Sequence, residues 1–134
     1  MLNYKKLVKK ILVGAAAISL VTTPVQTHAT DWSIFNFYLY PDESAISNTT
    51  SSKNDTRGYG QVKSQTMAGG GSHKIIYSIQ SGGSQISQSV TVTAPGTAQI
   101  PYNNTPGSGA ACKLKGKVPN TQSAPLRVEG TWTS

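Results

Sequence analysis

Lysines alternate with apolar or small residues along the second half of residues 110–118, and this pattern constrains the fold more than any other feature of the chain. An α-helix would scatter the apolar positions of such a pattern around its whole surface, whereas a β-strand places them all on one face. The segment is therefore predicted to be a strand with one buried face. The residues expected to point inward are Ala110, Cys112, Leu114, Gly116 and Val118, and those expected to point outward are Lys113, Lys115 and Lys117.

Further segments have the composition of strands, and the turns between them are rich in Gly and Pro. They comprise residues 32–40, 58–66, 73–80, 84–94, 97–102 and 126–133. Short strands that recur about every ten residues between such turns are typical of all-β proteins. We therefore predict an all-β fold, a single small antiparallel β-sandwich or barrel of about seven strands. The strands at 110–118 and 126–133 are expected to pair as a hairpin that brings Glu129 near the lysines.

Two neighbouring segments near the start of the predicted domain differ sharply in polarity. Residues 32–40 are rich in aromatic residues and carry apolar side chains at both odd and even positions. This composition predicts a strand that is central or covered on both faces. Residues 42–57 are polar and have no hydrophobic period, so they are expected to form a flexible, exposed loop.

The first 29 residues have the parts of a secretory signal peptide. Four lysines precede an apolar run at residues 11–21, and a polar stretch then leads to the small residue Ala29. The apolar run is shorter than the roughly 20 residues that cross a bilayer. We therefore expect a signal-peptide helix that is removed after about Ala29, and not a membrane anchor. Removing 29 of the 134 residues leaves a domain of 105, residues 30–134, which is expected to be secreted without an integral membrane span.

The charge of the chain looks different once this leader is set aside. The full chain has 12 basic and five acidic residues. Four of the lysines lie in the leader, so the domain keeps eight basic and five acidic residues and a net charge of only +3. This balance argues against a nucleic-acid-binding protein.

Few residues of the domain could support catalysis or hold a metal. Four of the five acids lie at its start or in the segment 42–57, and only Glu129 is on a predicted strand, so facing carboxylates are not expected. His73 and Cys112 are its only histidine and cysteine, which is too few for a zinc site, and no acid close in sequence would orient them as a catalytic pair. We expect no enzymatic activity and no cofactor. Cys112 is expected to be a small buried residue, with a disulfide between two chains as the alternative.

Two groups of side chains are candidates for binding. Outward lysines, with Arg127 on the adjacent strand, could contact an anionic polymer of a cell envelope or an acidic surface. The alternative is a solvated strand face that resists edge-to-edge aggregation. Exposed aromatic residues could stack on sugar rings or anchor at an interface, and the alternative is that they belong to the core. The candidates for anionic binding are Lys113, Lys115, Lys117 and Arg127, and those for aromatic contacts are Trp32, Tyr38 and Tyr40.

Four motifs follow the leader in a recognisable order. They are NFYLYP at 36–41, TRGYGQVKSQT at 56–66, KIIYSIQSGG at 74–83 and VEGTWTS at 128–134. In this order the chain resembles a group of small secreted proteins of Gram-positive bacteria that are catalogued as a domain of unknown function. The resemblance implies export and an all-β domain, and it carries over no catalytic or binding residue.

Three functions from different classes fit these features. The one we favour is a secreted, non-enzymatic binding or interaction module that acts at the cell envelope, on an anionic polymer or another extracellular protein. The second is a bacteriocin-like antibacterial or membrane-active protein. Small size, export and positive charge suggest it, but the sequence contains no amphipathic helix that would act on a membrane. The third is a secreted protease inhibitor that presents the loop at 42–57 or 103–109, although no disulfide would make that loop rigid.

Overall fold

The computed structural model describes residues 31–66, 73–119 and 124–134, and these residues form an all-β fold. They contain ten strands in two antiparallel sheets and no helix. The all-β prediction is therefore confirmed, with short strands beyond the number expected. Nothing in this part of the chain is a helix long and apolar enough to cross a membrane. The segment predicted to be a signal peptide, residues 1–29, and the three glycines at 69–71, where a turn is expected, lie outside the described residues.

Sheet A has four strands. They are β1 (Ser33–Leu39), β4 (Tyr59–Thr66), β8 (Gly96–Pro101) and β10 (Leu126–Thr133). Their order across the sheet is β1-β10-β4-β8, so β1 and β8 are the edge strands.

Sheet B has six strands. They are β2 (Ser44–Ile46), β3 (Ser51–Ser52), β5 (His73–Ser81), β6 (Ser84–Gln85), β7 (Val90–Ala94) and β9 (Ala111–Lys117). β9 is an interior strand that pairs with β5 on one side and with β2 and β3 on the other. β5 also pairs with β6 and β7. The single residue Pro95 separates β7 from β8, so the chain passes from sheet B to sheet A at this corner.

The core is lined by the apolar positions of the alternating strands. Cys112, Leu114 and Val118 are fully buried, as the alternation predicts, and so are the inward residues of β5 and β10. Gly116 is needed at its position because a Cβ there would lie 2.8 Å from the ring of Phe37 on sheet A. The two sheets therefore interlock at this point. The fully buried apolar side chains of β5 and β10 are Ile75, Tyr77, Ile79, Val128 and Trp132.

The predicted hairpin between 110–118 and 126–133 is wrong. β9 belongs to sheet B, whereas β10 lies between β1 and β4 in sheet A. The alternation of apolar residues determines which face of a strand is buried, but it does not determine the neighbouring strand. Glu129 consequently lies opposite Asn36 of β1 and Gln65 of β4, and not beside the lysines of β9.

The prediction that 32–40 is central or covered on both faces is also wrong. Among the residues that the structure describes, β1 is an edge strand that pairs with β10 alone. Phe35, Phe37 and Leu39 point into the core, while Ile34 and Tyr38 on the opposite face are exposed. Within the described residues no second layer covers that outer face, so its apolar side chains lie at the surface.

Residues 42–57 also differ from the predicted exposed loop, because they contain β2 and β3. Both short strands pair with β9. Between them Ser47 donates its backbone N–H to the carbonyl of Leu114 at 2.8 Å and accepts the N–H of Leu114 on its hydroxyl at 3.0 Å. Polar residues can make these bonds to a strand without any hydrophobic period, which is why the pattern did not reveal them.

The segment 84–94 is not one continuous strand. It contains β6 and β7, and residues 86–89 lie between them. Ser87, which lies between these two strands, is buried. Its hydroxyl accepts the N–H of Ile79 at 2.8 Å and donates to the carbonyl of Gln88 at 2.8 Å.

Candidate functional site

The lysine row, which consists of Lys113, Lys115 and Lys117, lies on the outer face of sheet B. Side chains on one face of a strand recur every two residues, so neighbouring lysines are about 6.6 Å apart along β9. Lys113 and Lys117 are exposed and Lys115 is half-buried. The row therefore presents three positive charges in a line, as the alternation predicted.

No acidic side chain forms an ion pair with the lysine row within the described residues. The ion pairs of that part of the chain join Asp55 to Lys53 and to Arg57. Two acids, Asp42 and Glu43, precede β2 and are exposed, but neither pairs with the row. The cross-strand neighbours of the row are uncharged, namely Gln80, Ser78 and Ile76 on β5 and Ser44 and Ile46 on β2.

Open grooves flank the lysine row. Lys113 lines one groove of about 380 Å³ near the turn at Gly82. Lys115 and Lys117 line another of about 320 Å³, together with Gln85. A ligand that follows β9 would therefore find both space and positive charge along its path.

Arg127 does not belong to this group. It is exposed on β10 of sheet A, opposite Tyr38 of β1. The predicted set of four cations is therefore split between two sheets, because the hairpin that would have joined them does not exist.

An exposed aromatic strip runs along β1 on the outer face of sheet A and consists of Trp32, Ile34, Tyr38 and Tyr40. Their side chains are 38%, 68%, 57% and 49% exposed, respectively. The rings of Tyr38 and Tyr40 are tilted towards each other, with their centroids 5.0 Å apart. The three aromatic candidates of the sequence therefore lie together on one face.

Two members of this face were missed by sequence reasoning. Ile34 is the most exposed residue of the aromatic strip, and its even position, shared with Tyr38, was a usable signal. Lys63 of β4 places its ammonium group 4.2 Å from the centroid of the Trp32 ring, a cation–π contact that no spacing in the sequence indicates.

Three other aromatic residues of the described part of the chain do not belong to this exposed strip. Tyr102 and Trp132 are buried in the core. Tyr59 is half-buried, and the guanidinium carbon of Arg57 lies 5.3 Å from its ring centroid.

A buried charge cluster, formed by Lys53, Asp55 and Arg57, was also missed. Lys53 is 0% exposed, and its ammonium group donates to one carboxylate oxygen of Asp55. The other oxygen accepts the Nε–H of Arg57 at 2.7 Å. The Lys53 ammonium group also lies 5.2 Å from the ring centroid of Tyr102. The cluster therefore joins the segment that follows β3 to the core, through the contact of Lys53 with Tyr102.

The carboxylate at the centre of this cluster is held in its charged form. Burial by itself would raise the pKa of Asp55, but hydrogen bonds from Arg57 and Lys53 outweigh it and lower the pKa to about 2. The pKa of Arg57 is raised, chiefly by its hydrogen bond to Asp55. Asp55 therefore stays charged over the whole physiological pH range and is the countercharge of both Lys53 and Arg57.

Cys112 and His73 are not brought together. Cys112 lies opposite Ser81, whereas His73 begins the same strand eight residues earlier, which is about 26 Å along β5. The thiol is buried and forms no disulfide, and burial raises its pKa, which disfavours the thiolate. The expectation of a packed cysteine is confirmed. Among the described residues, no group of three or more His, Cys, Asp or Glu side chains could hold a metal ion.

Comparison of the chain with protein-family models, with curated proteins and with solved structures found no match in any of the three. What the protein does must therefore be inferred from its own exposed surfaces. The lysine row and the aromatic strip are the two that combine exposure with groups able to bind a ligand.

Proposed function

We propose that the protein is a secreted, non-enzymatic module that binds an anionic polymer of the bacterial cell envelope through the lysine row. The observation that carries this proposal is a line of three lysines without an acidic partner among the described residues. A polymer with regularly spaced negative charges could contact all three at once, because the lysines are about 6.6 Å apart along the strand.

The chemistry of lysine suits such a ligand. Each ammonium group is a strongly hydrated point charge with three donors and no fixed planar geometry. It can therefore bind phosphate or carboxylate groups whose orientation varies along a polymer. The grooves beside Lys113 and Lys117 give that polymer room to lie against the sheet.

The position of β9 favours binding over the alternative of a face that merely prevents aggregation. Lysines protect a sheet in this way when they stand on an edge strand, whose unpaired backbone groups could otherwise pair with another chain. β9 is an interior strand with partners on both sides. Its three lysines therefore protect no free edge, and their concentration on one strand calls for another explanation.

Export is the first prediction of this proposal. When the full chain is expressed in a Gram-positive host, the protein is expected in the culture medium, with its first residue at or within a few residues of Thr30. Intact-mass measurement and N-terminal sequencing of the secreted protein would determine this. Ala29→Arg places a large charge beside the expected cleavage site and is expected to block or shift processing. Uncleaved wild-type protein that stays in the cells would contradict export.

The second prediction concerns the lysine row itself. The double variant Lys113→Gln/Lys117→Gln is expected to bind isolated cell walls about thirtyfold more weakly, since each cation near an anionic surface contributes about 1 kcal/mol. Wild-type binding is expected to fall steeply as salt rises, because salt screens exposed charges. Co-sedimentation of the secreted protein with walls at several salt concentrations would measure both effects.

The matched control is Lys113→Arg/Lys117→Arg, which keeps both positive charges at the same positions and is expected to change wall binding by less than about threefold. Hydrofluoric acid removes phosphodiester-linked polymers from cell walls, and the protein is expected not to bind walls treated in this way. A flat salt response, or equal losses in the two double variants, would reject the lysine row as the site. Leakage of anionic liposomes without wall binding would favour a membrane-active protein, and inhibition in a protease panel would favour an inhibitor.

A further inference from the structure

We infer that the outer face of sheet A is a second binding site, for a linear, uncharged glycan whose sugar rings lie along the aromatic strip. This site is independent of the lysine row, which lies on the other sheet. The inference begins from the side chains that β1 leaves at the surface.

The first step concerns the apolar side chains that lie at the surface of sheet A and not in the core. Ile34 and Tyr38 occupy outward positions of β1, and Trp32 and Tyr40 flank this strand at the same two-residue spacing, so all four side chains are exposed. Only Asn36 interrupts the series. Single exposed apolar residues are common on protein surfaces, whereas a group of them on one sheet face, with polar neighbours, is a candidate binding site.

The second step is the polar surround, which the strand register places beside the aromatic strip. Arg127 of β10 lies opposite Tyr38, and Glu129 lies opposite Asn36 and next to Gln65 of β4. Amide side chains both donate and accept hydrogen bonds, guanidinium groups donate and carboxylates accept. Sugar hydroxyl groups do both, while the C–H faces of a pyranose ring stack on aromatic rings. The outer face of sheet A therefore offers both kinds of contact to one ligand.

The third step is charge. On this face Lys63 and Arg127 are positive and Glu129 is negative, so both signs lie around the aromatic strip and the net charge of the three is only +1. Lys63 is also engaged with the ring of Trp32. An anionic polymer would meet the carboxylate of Glu129 here, whereas an uncharged glycan would not be opposed by either sign.

The fourth step is shape, which separates a glycan from a protein or a membrane. Residues 32–40 span about 26 Å and one strand is about 5 Å wide, so even twice that width gives a strip of roughly 260 Å². A stable contact with a second copy of the chain needs about 800 Å² on each partner. A membrane would have to desolvate the charged neighbours Glu129 and Arg127. A long, narrow strip instead matches a single extended chain of sugar rings.

The experiment uses the secreted protein with two defined probes, chitotetraose and cellotetraose. Trp132 is 0% exposed and Trp32 is 38% exposed, so acrylamide quenching of tryptophan fluorescence reports on Trp32. Binding of either probe is expected to protect Trp32 from the quencher. Tyr38→Ala/Tyr40→Ala is expected to weaken binding about tenfold or more, since two stacking contacts are lost. Tyr38→Phe/Tyr40→Phe keeps both rings and should bind within about threefold of the wild type.

Controls separate this site from the lysine row. Lys113→Gln/Lys117→Gln should leave the affinity for the tetrasaccharides unchanged, whatever it does to wall binding. A urea midpoint equal to that of the wild type shows that the double alanine variant is folded, as expected for exposed positions.

Three results would overturn the inference. The first is that neither tetrasaccharide protects Trp32 and the protein does not co-sediment with insoluble chitin or cellulose. The second is that Tyr38→Ala/Tyr40→Ala binds as well as the wild type. The third is that this variant loses vesicle binding or self-association while glycan binding persists. None of these outcomes tests wall binding by the lysine row. The glycan site and the lysine row can therefore be rejected independently of each other.

Discussion

Replacing Asp55 with asparagine is expected to destabilise the fold by about 3 kcal/mol or more. Lys53 is 0% exposed, and the carboxylate of Asp55 is its ion-pair partner. An amide in that place leaves a buried ammonium ion without a countercharge, which is far more costly than the loss of an exposed ion pair. Urea unfolding of the purified variant and wild type at pH 7, followed by circular dichroism, would measure the difference.

A second variant keeps this prediction testable even if the single variant folds poorly. Lys53→Met/Asp55→Asn removes the buried charge together with its partner and is expected to recover much of the lost stability, because apolar replacement of a buried ion pair is often neutral or stabilising. Asp42→Asn is the matched control: Asp42 is exposed and has a φ of 64°, a conformation that asparagine also tolerates. Its free energy of unfolding should change by less than about 0.5 kcal/mol. Equal stability of Asp55→Asn and Asp42→Asn would contradict the role of the buried charge cluster.

The same carboxylate gives the stability a defined pH dependence. Burial raises the pKa of Asp55, the hydrogen bonds from Arg57 and Lys53 lower it, and the net result is about 2 against 3.8 for an ordinary aspartate. A lowered pKa stabilises the fold fully above the unfolded value, and this contribution is lost as the pH falls through the folded value. The wild type is therefore expected to lose stability between about pH 4 and pH 2. The part of this loss that is due to Asp55 should be missing in Asp55→Asn.

The sequence predicts the faces of the strands well and their partners poorly. Alternation over 110–118 correctly assigned Leu114 to the core and Lys115 to the outer face, because side-chain direction has a period of two on any strand. Pairing depends on long-range contacts that this period does not encode. The adjacent order of 110–118 and 126–133 suggested a hairpin, and β9 and β10 nevertheless lie in different sheets.

The candidate sites show the same contrast: features within one strand were predictable, and features that depend on strand pairing were not. The lysine row was predictable because its three members lie on a single strand, where every second side chain points to the same face. Arg127 was misplaced because its position relative to the row depended on a pairing that does not occur. The three aromatic members of the aromatic strip were predicted, but Ile34 and the exposure of the outer face were not, since an edge strand and a central strand can have the same composition.

The buried charge cluster was missed for a different reason. Lys53, Asp55 and Arg57 stand two residues apart in a polar segment, and such a segment is usually solvated. Their alternate spacing was a signal that these side chains share one side of an extended chain. What the sequence does not reveal is that Lys53 is buried against Tyr102, because that contact joins segments far apart in the chain.

Trp132→Ala is expected to destabilise the protein by about 3–5 kcal/mol, the range for removing a large, fully buried aromatic side chain. Trp132 is 0% exposed and stands on β10, the interior strand that joins β1 to β4. Its loss would leave a cavity beneath both neighbours. Urea unfolding with a far-ultraviolet readout would measure the effect without relying on tryptophan fluorescence.

Two further substitutions show which property of Trp132 matters. Its indole Nε1–H is buried and has no hydrogen-bond partner among the described residues. Trp132→Phe removes this unsatisfied donor and keeps most of the ring, so its cost is expected to stay below about 1.5 kcal/mol. Trp32→Ala is the control of the same residue type, and at 38% exposure it should cost less than about 1 kcal/mol. If Trp132→Ala were no more destabilising than Trp32→Ala, the packing of β10 against the core would have to be different from that described.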